Sequence, residues 1–233
     1  MCGLNAKKSR GPARRVSAVD SRRSRRHAGS GREATVEAEL IRNKIVEFAH
    51  TCPGLGASPA NLEVKKRYLE LIASGEPPAK QEEMAKMSGC ALLTGGIWRV
   101  AGVDAASLHS PYKIGTAISR LVAIARAAKA WIPFKEGEYP APGDMVLVGD
   151  NGPGGVEHVY TVVGIELSDG QVTIQSVDGG QRDARGHQAV LLKQRVWRGR
   201  QDCVVNASDP GAQKSGGRII QGWADVSRLP FKV

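Results

Sequence analysis

No stretch of this 233-residue sequence approaches the ~18 consecutive apolar residues of a membrane-spanning helix. The basic N-terminus is not followed by the apolar segment of a Sec signal peptide. These absences argue against a membrane span and lead us to expect cytoplasmic synthesis, with any action at the cell wall reached by release or a non-Sec route. Cysteine is sparse, at Cys2, Cys52, Cys90 and Cys203. No C-x-x-C pair and no Cys/His cluster of zinc spacing occurs, so neither a disulfide scaffold nor a metal site is expected, and no cofactor. Aromatic residues make up only 5%, as four Trp, four Tyr and three Phe, and they are scattered. The stripe of Lys and Arg interleaved with stacking rings that marks a nucleic-acid reader is therefore missing.

The sequence does hold enough apolar side chain, 41%, for a core, and its length suits one ordinary domain with an appendage. Its 33 Lys and Arg exceed its 23 Asp and Glu by ten. Residues 1–33 carry ten basic side chains, from Lys7 to Arg32, against Asp20 and Glu33 alone, and so account for +8 of the +10. That segment is rich in Ser, Gly and Ala, and has too few large apolar residues to offset the entropy of ordering. The expected organisation is a disordered basic tail over 1–33 and one domain over 34–233. The tail is either a contact for an anionic polymer (nucleic acid, anionic lipid or a teichoic-type chain) or a solvated extension.

Hydrophobic spacing predicts helices over 35–50, 61–73, 80–101 and 112–131, broken by Pro53-Gly54, by Gly75 with Pro77-Pro78, and by Pro133. Beyond residue 140 the texture changes. Segments 144–149, 156–167, 171–177, 189–197, 202–206 and 218–223 are rich in β-branched residues and separated by turn dipeptides, with Asp169-Gly170 as a hairpin signal. Helices followed by a meander of strands predict an α+β fold with an antiparallel β-sheet.

Cys90 follows Ser88-Gly89 and precedes the apolar stretch Ala91-Leu92-Leu93-Thr94-Gly95-Gly96-Ile97-Trp98. If that stretch is a helix, Cys90 lies at its positive end, where a thiolate is favoured; otherwise it is a small buried hydrophobe. His158 opens a core-like strand, where it serves as base or ion-pair partner to a thiol on a packed helix, or is a structural histidine. Asp178 ends the following strand and either orients His158 or is a turn residue before Gly179-Gly180. Gln175 and Ser176 are alternatives for that third position. His27, His50, His109 and His187 sit in the tail, a helix end or loops, with His187 open to a place in an active-site loop; Cys2 is in the tail, Cys52 in a turn with no helix behind it, and Cys203 packs inside a strand.

Cys90 on a helix, Pro142-Gly143-Asp144 leading into a strand, the His158-Val159 strand and a polar residue closing the next strand resemble the NlpC/P60 and CHAP groups of cysteine peptidases and amidases. The resemblance implies a papain-like core in which the cysteine helix packs on the antiparallel sheet. It also implies cleavage of amide bonds in the stem peptides or cross-bridges of peptidoglycan, with Cys90 as nucleophile, His158 as base and Asp178 as orienting residue. In some relatives an upstream tyrosine lines the oxyanion region, a role open to Tyr68, which is otherwise a core aromatic. The double glycine Gly95-Gly96 departs from the family pattern and should weaken the helix. Two other readings stand beside this one: a papain-like deamidase, acyltransferase or protease acting on a protein target, and a non-catalytic polyanion-binding protein.

Overall fold

The computed structural model describes residues 28–87, 89–104, 117–149, 157–168, 171–205 and 217–231, with side chains from residue 36 onward. The basic tail expected over 1–33 lies outside them up to residue 27. Five helices come first: α1 (Ala28–His50), α2 (Leu62–Ile72), α3 (Pro78–Met84), α4 (Cys90–Ala101) and α5 (Ile118–Ala127). Seven strands follow: β1 (Trp131–Pro133), β2 (Met145–Gly149), β3 (His158–Ser168), β4 (Gln171–Arg182), β5 (Gln188–Arg198), β6 (Gln201–Val204) and β7 (Arg218–Ala224). A short 3-10 turn, Val226–Arg228, ends the described chain. Among the described residues no helix is long and apolar enough to cross a membrane.

Helix α1 buries Ile41, Ile45 and Ala49, a stripe at fourfold spacing. Val36 and Leu40, apolar positions of the same predicted helix, are exposed. In α2 the Asn61 side chain caps the first turn by accepting from the Val64 N–H at 3.1 Å, and Tyr68, Leu69, Leu71 and Ile72 turn inward. The single helix expected over 80–101 is two helices, interrupted between Met84 and Cys90. Helix α4 is buried without a break from Cys90 to Trp98, so it runs through the middle of the helical layer. The double glycine that should weaken it instead sets its packing. A Cβ on Gly96 would stand 2.5 Å from the Leu71 carbonyl oxygen of α2, an approach that only glycine permits.

The expected papain-like α+β core, with helices followed by an antiparallel sheet, is contradicted. All strand pairings are antiparallel in the order β1-β7-β2-β3-β4-β5-β6, and β6 also pairs with β7, so β2 to β7 close into a six-stranded barrel. A closed barrel is not a helix-then-sheet core. The physical reason lies in the alternation along the strands. In β2 and β3, Val146, Val148, Tyr160 and Val162 join Ile174, Trp197, Ile220 and Trp223 in one apolar cluster inside the barrel. Their neighbours Met145, Leu147, Val159 and Val163 join the helices in a second cluster outside it. Strands apolar on both faces must be covered on both, and curling the sheet onto itself covers one of them. Register shifts at Leu147/Val148, Val162/Gly164 and Asp178/Gln181 add the local bend that closure needs. The Asp169-Gly170 turn lies outside the described residues, but Ser168 pairs with Gln171 on either side of it.

Arg42 ties α1 to the barrel. Its guanidinium donates to the Pro142 carbonyl at 3.0 Å and to Asp144 Oδ1 at 2.7 Å, and its other terminal nitrogen donates to Asp225. Asp144 also accepts from the Ala141 and Val226 N–H groups at 2.8 and 3.0 Å. The Pro142-Gly143-Asp144 motif therefore does structural service, as a clamp between the first helix, the start of β2 and the closing 3-10 turn.

Candidate active site

Helix α4 starts at Cys90 without a side-chain cap, because the N-cap residue is Gly89. The first intrahelical bond runs from the Leu93 N–H to the Gly89 carbonyl at 2.9 Å, leaving the earlier N–H groups without helical partners. The space around this helix start is made by small residues on both sides. A Cβ on Gly89 would lie 2.5 Å from Tyr68 Oη, and one on Gly179 would lie 2.6 Å from the Gly89 carbonyl oxygen. Strand β4 bulges at Gly179-Gly180, where Gly180 takes φ of +70°, and the bulge receives the end of α4. Cys90 itself is only 3% exposed.

His158 opens β3, on the strand face it shares with Tyr160 and Val162. Thr161 pairs with Val177, so Asp178 falls one step closer to the His158 end of the hairpin. The structure brings the three expected residues together. His158 Nε2 lies 2.6 Å from Asp178 Oδ2, and the His158 side chain is also hydrogen-bonded to Cys90. With Nε2 engaged by the carboxylate, Nδ1 is the ring nitrogen left for the thiol. Burial opposes a charged imidazole, but the bonds to Asp178 and Cys90 and the Asp178 charge outweigh it, and the His158 pKa stands above the ordinary histidine value. Burial likewise opposes the Asp178 carboxylate; Arg195 and His158 overcome it and hold that pKa far below the usual range. A cysteine at a helix start, facing an imidazole that prefers its proton, is the arrangement that yields a thiolate–imidazolium pair.

Behind Asp178 stands a second set of polar groups. Ser176 donates to Asp178 Oδ1 at 2.6 Å and accepts from Arg195 Nε at 2.9 Å, while Arg195 Nη2 donates to Asp178 Oδ2. Arg195 Nη1 donates to Asp202, whose other oxygen takes bonds from Tyr160 at 3.3 Å and Trp197 Nε1 at 3.1 Å. Of the alternatives for the third position, Ser176 thus supports Asp178 without touching the imidazole, and Gln175 is exposed.

Among the described residues, the other histidines and cysteines stand apart from the site. His187 pairs with Asp183 at 3.2 Å on a half-buried turn, and His50 is exposed at the end of α1. Cys52 is wholly buried, donates to the Phe48 carbonyl at 3.5 Å, and has its thiol pushed up to about 11 by burial. Cys203 lies partly buried in β6. His27, His109, Cys2 and Ser88 fall outside the described residues. Among the described residues no group of three or more His, Cys, Asp and Glu could hold a metal ion.

Two further residues stand at the site: Tyr68, which the resemblance left open to an oxyanion role or a core position, and Arg195, which the sequence did not single out. Tyr68 is wholly buried, its hydroxyl has no hydrogen-bond partner among the described residues, and that hydroxyl points at the start of α4. Burial, then the Cys90 charge, push its pKa up to about 12, so it remains a donor. A tyrosine at an inward position of a predicted helix looks like any core aromatic, and nothing in its spacing marks it. Arg195 is 3% exposed in a strand that alternates apolar and polar residues; a basic side chain there reads as solvent-facing until the barrel closes over it. No family model, curated protein or solved structure matches the chain.

Proposed function

We propose that the protein is a cysteine hydrolase that cleaves amide bonds by acyl transfer, with Cys90 as nucleophile, His158 as acid and base, and Asp178 as the residue that orients His158. One observation carries this reading: a cysteine at an uncapped helix start is hydrogen-bonded to a buried histidine whose other nitrogen is held by a buried carboxylate. The Cys90 sulfur attacks the carbonyl carbon of the scissile amide. The oxyanion is met by N–H groups of the first turn of α4 and by the Tyr68 hydroxyl, which has no other partner among the described residues. Collapse of the tetrahedral adduct breaks the C–N bond as the imidazolium gives its proton to the leaving amine. Water, deprotonated by the now neutral His158, attacks the thioester and releases the carboxylic acid and the thiol.

The resemblance of the segments around Cys90, 142–144, His158 and Asp178 to NlpC/P60 and CHAP hydrolases supports peptidoglycan stem peptides or cross-bridges as substrate. The test is digestion of purified cell-wall sacculi by the full chain, read by mass spectrometry of the released muropeptides. The expected result is new amide-cleaved muropeptides with wild type and none with Cys90→Ala. Equal release by the variant would end the proposal. Unchanged muropeptides together with a fast-labelled Cys90 would move the substrate to a protein amide.

A further inference from the structure

The guanidinium of Arg195 binds the Asp178 carboxylate and has no hydrogen bond to Cys90 or His158 among those described. It reaches both carboxylate oxygens: Oδ2 through Nη2, and Oδ1 through Nε and the Ser176 hydroxyl at 2.9 and 2.6 Å. Its remaining terminal nitrogen is held by Asp202, which is itself bonded to Tyr160 and Trp197. The Tyr160 ring lies flat under it, 4.0 Å from the guanidinium carbon to the ring centroid. Arg195 is therefore fixed from β3, β4, β5 and β6 at once, and the face of the carboxylate left over is the one that meets His158.

Resting on the reading of Cys90, His158 and Asp178 given above, we infer that Arg195 is a positioning residue that acts through Asp178: it locks the carboxylate in the one orientation that keeps Nε2 of His158 engaged and Nδ1 turned to Cys90. A fork with two parallel donors and a third on the opposite edge has the geometry for this; a lysine has a single point of attachment and does not. The charged or titratable groups that act on the two residues are Cys90 of α4, His158 and Tyr160 of β3, Lys193 and Arg195 of β5, and Asp202 of β6. The inference concerns geometry more than total charge, and Arg195→Lys, which keeps the charge, separates the two.

The experiment follows alkylation of Cys90 in the full chain by iodoacetamide between pH 5 and 9, with the labelled cysteine identified by peptide mass mapping. Wild type is expected to react on an acid limb well below that of an ordinary thiol, and His158→Ala to lose that limb. Arg195→Lys and the paired variant Arg195→Met/Asp202→Asn are expected to move the limb upward by about one pH unit, slowing the reaction at pH 6 about tenfold. Ser176→Ala, which removes only the bridge to Oδ1, keeps the buried ion pairs and is the variant expected to fold if the Arg195 variants do not. It is expected to show a smaller shift of the same sign. A parallel nitrogen-15 spectrum of labelled histidine at pH 9 is expected to show one His158 tautomer in wild type and a mixture in the variants. Folded Arg195→Lys, or Ser176→Ala where the former does not fold, with the wild-type limb and tautomer would overturn the inference and leave the catalytic reading intact. A wild-type Cys90 that reacts like an ordinary thiol overturns both.

Discussion

Cys90 and Cys52 are both buried thiols within the helical layer, and their surroundings set them apart. Cys52 meets a carbonyl oxygen and is desolvated by burial, which favours the neutral thiol, whereas Cys90 stands at the start of α4 and bonds to an imidazole. Iodoacetamide at pH 6.5 is expected to label Cys90 in the native chain and to spare Cys52. Equal labelling would contradict the contrast. Cys90→Ala removes a small buried side chain and its bond to His158, and is expected to lower unfolding free energy by about 1–2 kcal/mol in denaturant titration. His158 gives a signed pH dependence. Its pKa in the folded protein lies above the ~6.5 of an unfolded histidine, so its contribution to stability is whole below that value and is lost as pH rises through the folded one. The gap in melting temperature between wild type and His158→Gln is therefore expected to shrink between pH 6 and pH 9; a gap that widens would reverse the sign. The residue types were legible in the sequence because Cys, His and Asp in that order carry few competing meanings. Tyr68 was open to the oxyanion role only through the family resemblance, since its position gives no sign that its hydroxyl has no partner among the described residues.

Elements bring these residues together through close approaches. The α4 start meets the β4 bulge over Gly89 and Gly179, and α2 crosses α4 over Gly96. Gly179→Ala drives a methyl group to 2.6 Å from the Gly89 carbonyl oxygen. It is expected to cost about 2 kcal/mol by denaturant unfolding and to slow Cys90 alkylation, since the backbone that must yield is the one that carries the thiol. Loss of stability with an unchanged alkylation rate would place the strain elsewhere. Asp144→Ala removes the acceptor at the centre of the Arg42 clamp and is expected to cost about 3 kcal/mol in the same titration. Most strands and the α1 and α2 cores could be read from period and turn residues. The break between α3 and α4 could not, because the apolar spacing runs on through residues 84–92 and the interruption serves the site more than the local propensity. β1 was invisible for a different reason: three residues ending in a proline carry no strand period, and the pairing with β7 is what makes them a strand.

In the whole molecule the barrel seam joins unequal partners. β4 and β5 pair along most of their length, whereas β6 meets β7 only at Gln201–Ile219 and Asp202–Arg218, helped by the bond from the Ile220 N–H to the Arg200 carbonyl at 2.9 Å. Amide exchange is expected to run faster at Asp202 and Ile220 than at Ile174 and Val196, and the reverse order would argue against a weak seam. Closure escaped the sequence because it depends on a pairing between two short strands, and neither their order nor their composition announces it. The overall charge was legible but spoke of one segment. Residues 1–27 hold nine Lys and Arg against one Asp, leaving +2 for all that follows. Their removal is expected to abolish salt-sensitive retention on a phosphate polymer while leaving the Cys90 alkylation rate unchanged. Finally, the thiol belongs to the fourth helix, its imidazole to the third strand, and the strand that completes the barrel is the last of the described strands. During synthesis from the N-terminus, Cys90 leaves the ribosome before β3 and well before β7. The thiol is thus made well ahead of the imidazole that it faces in the folded protein.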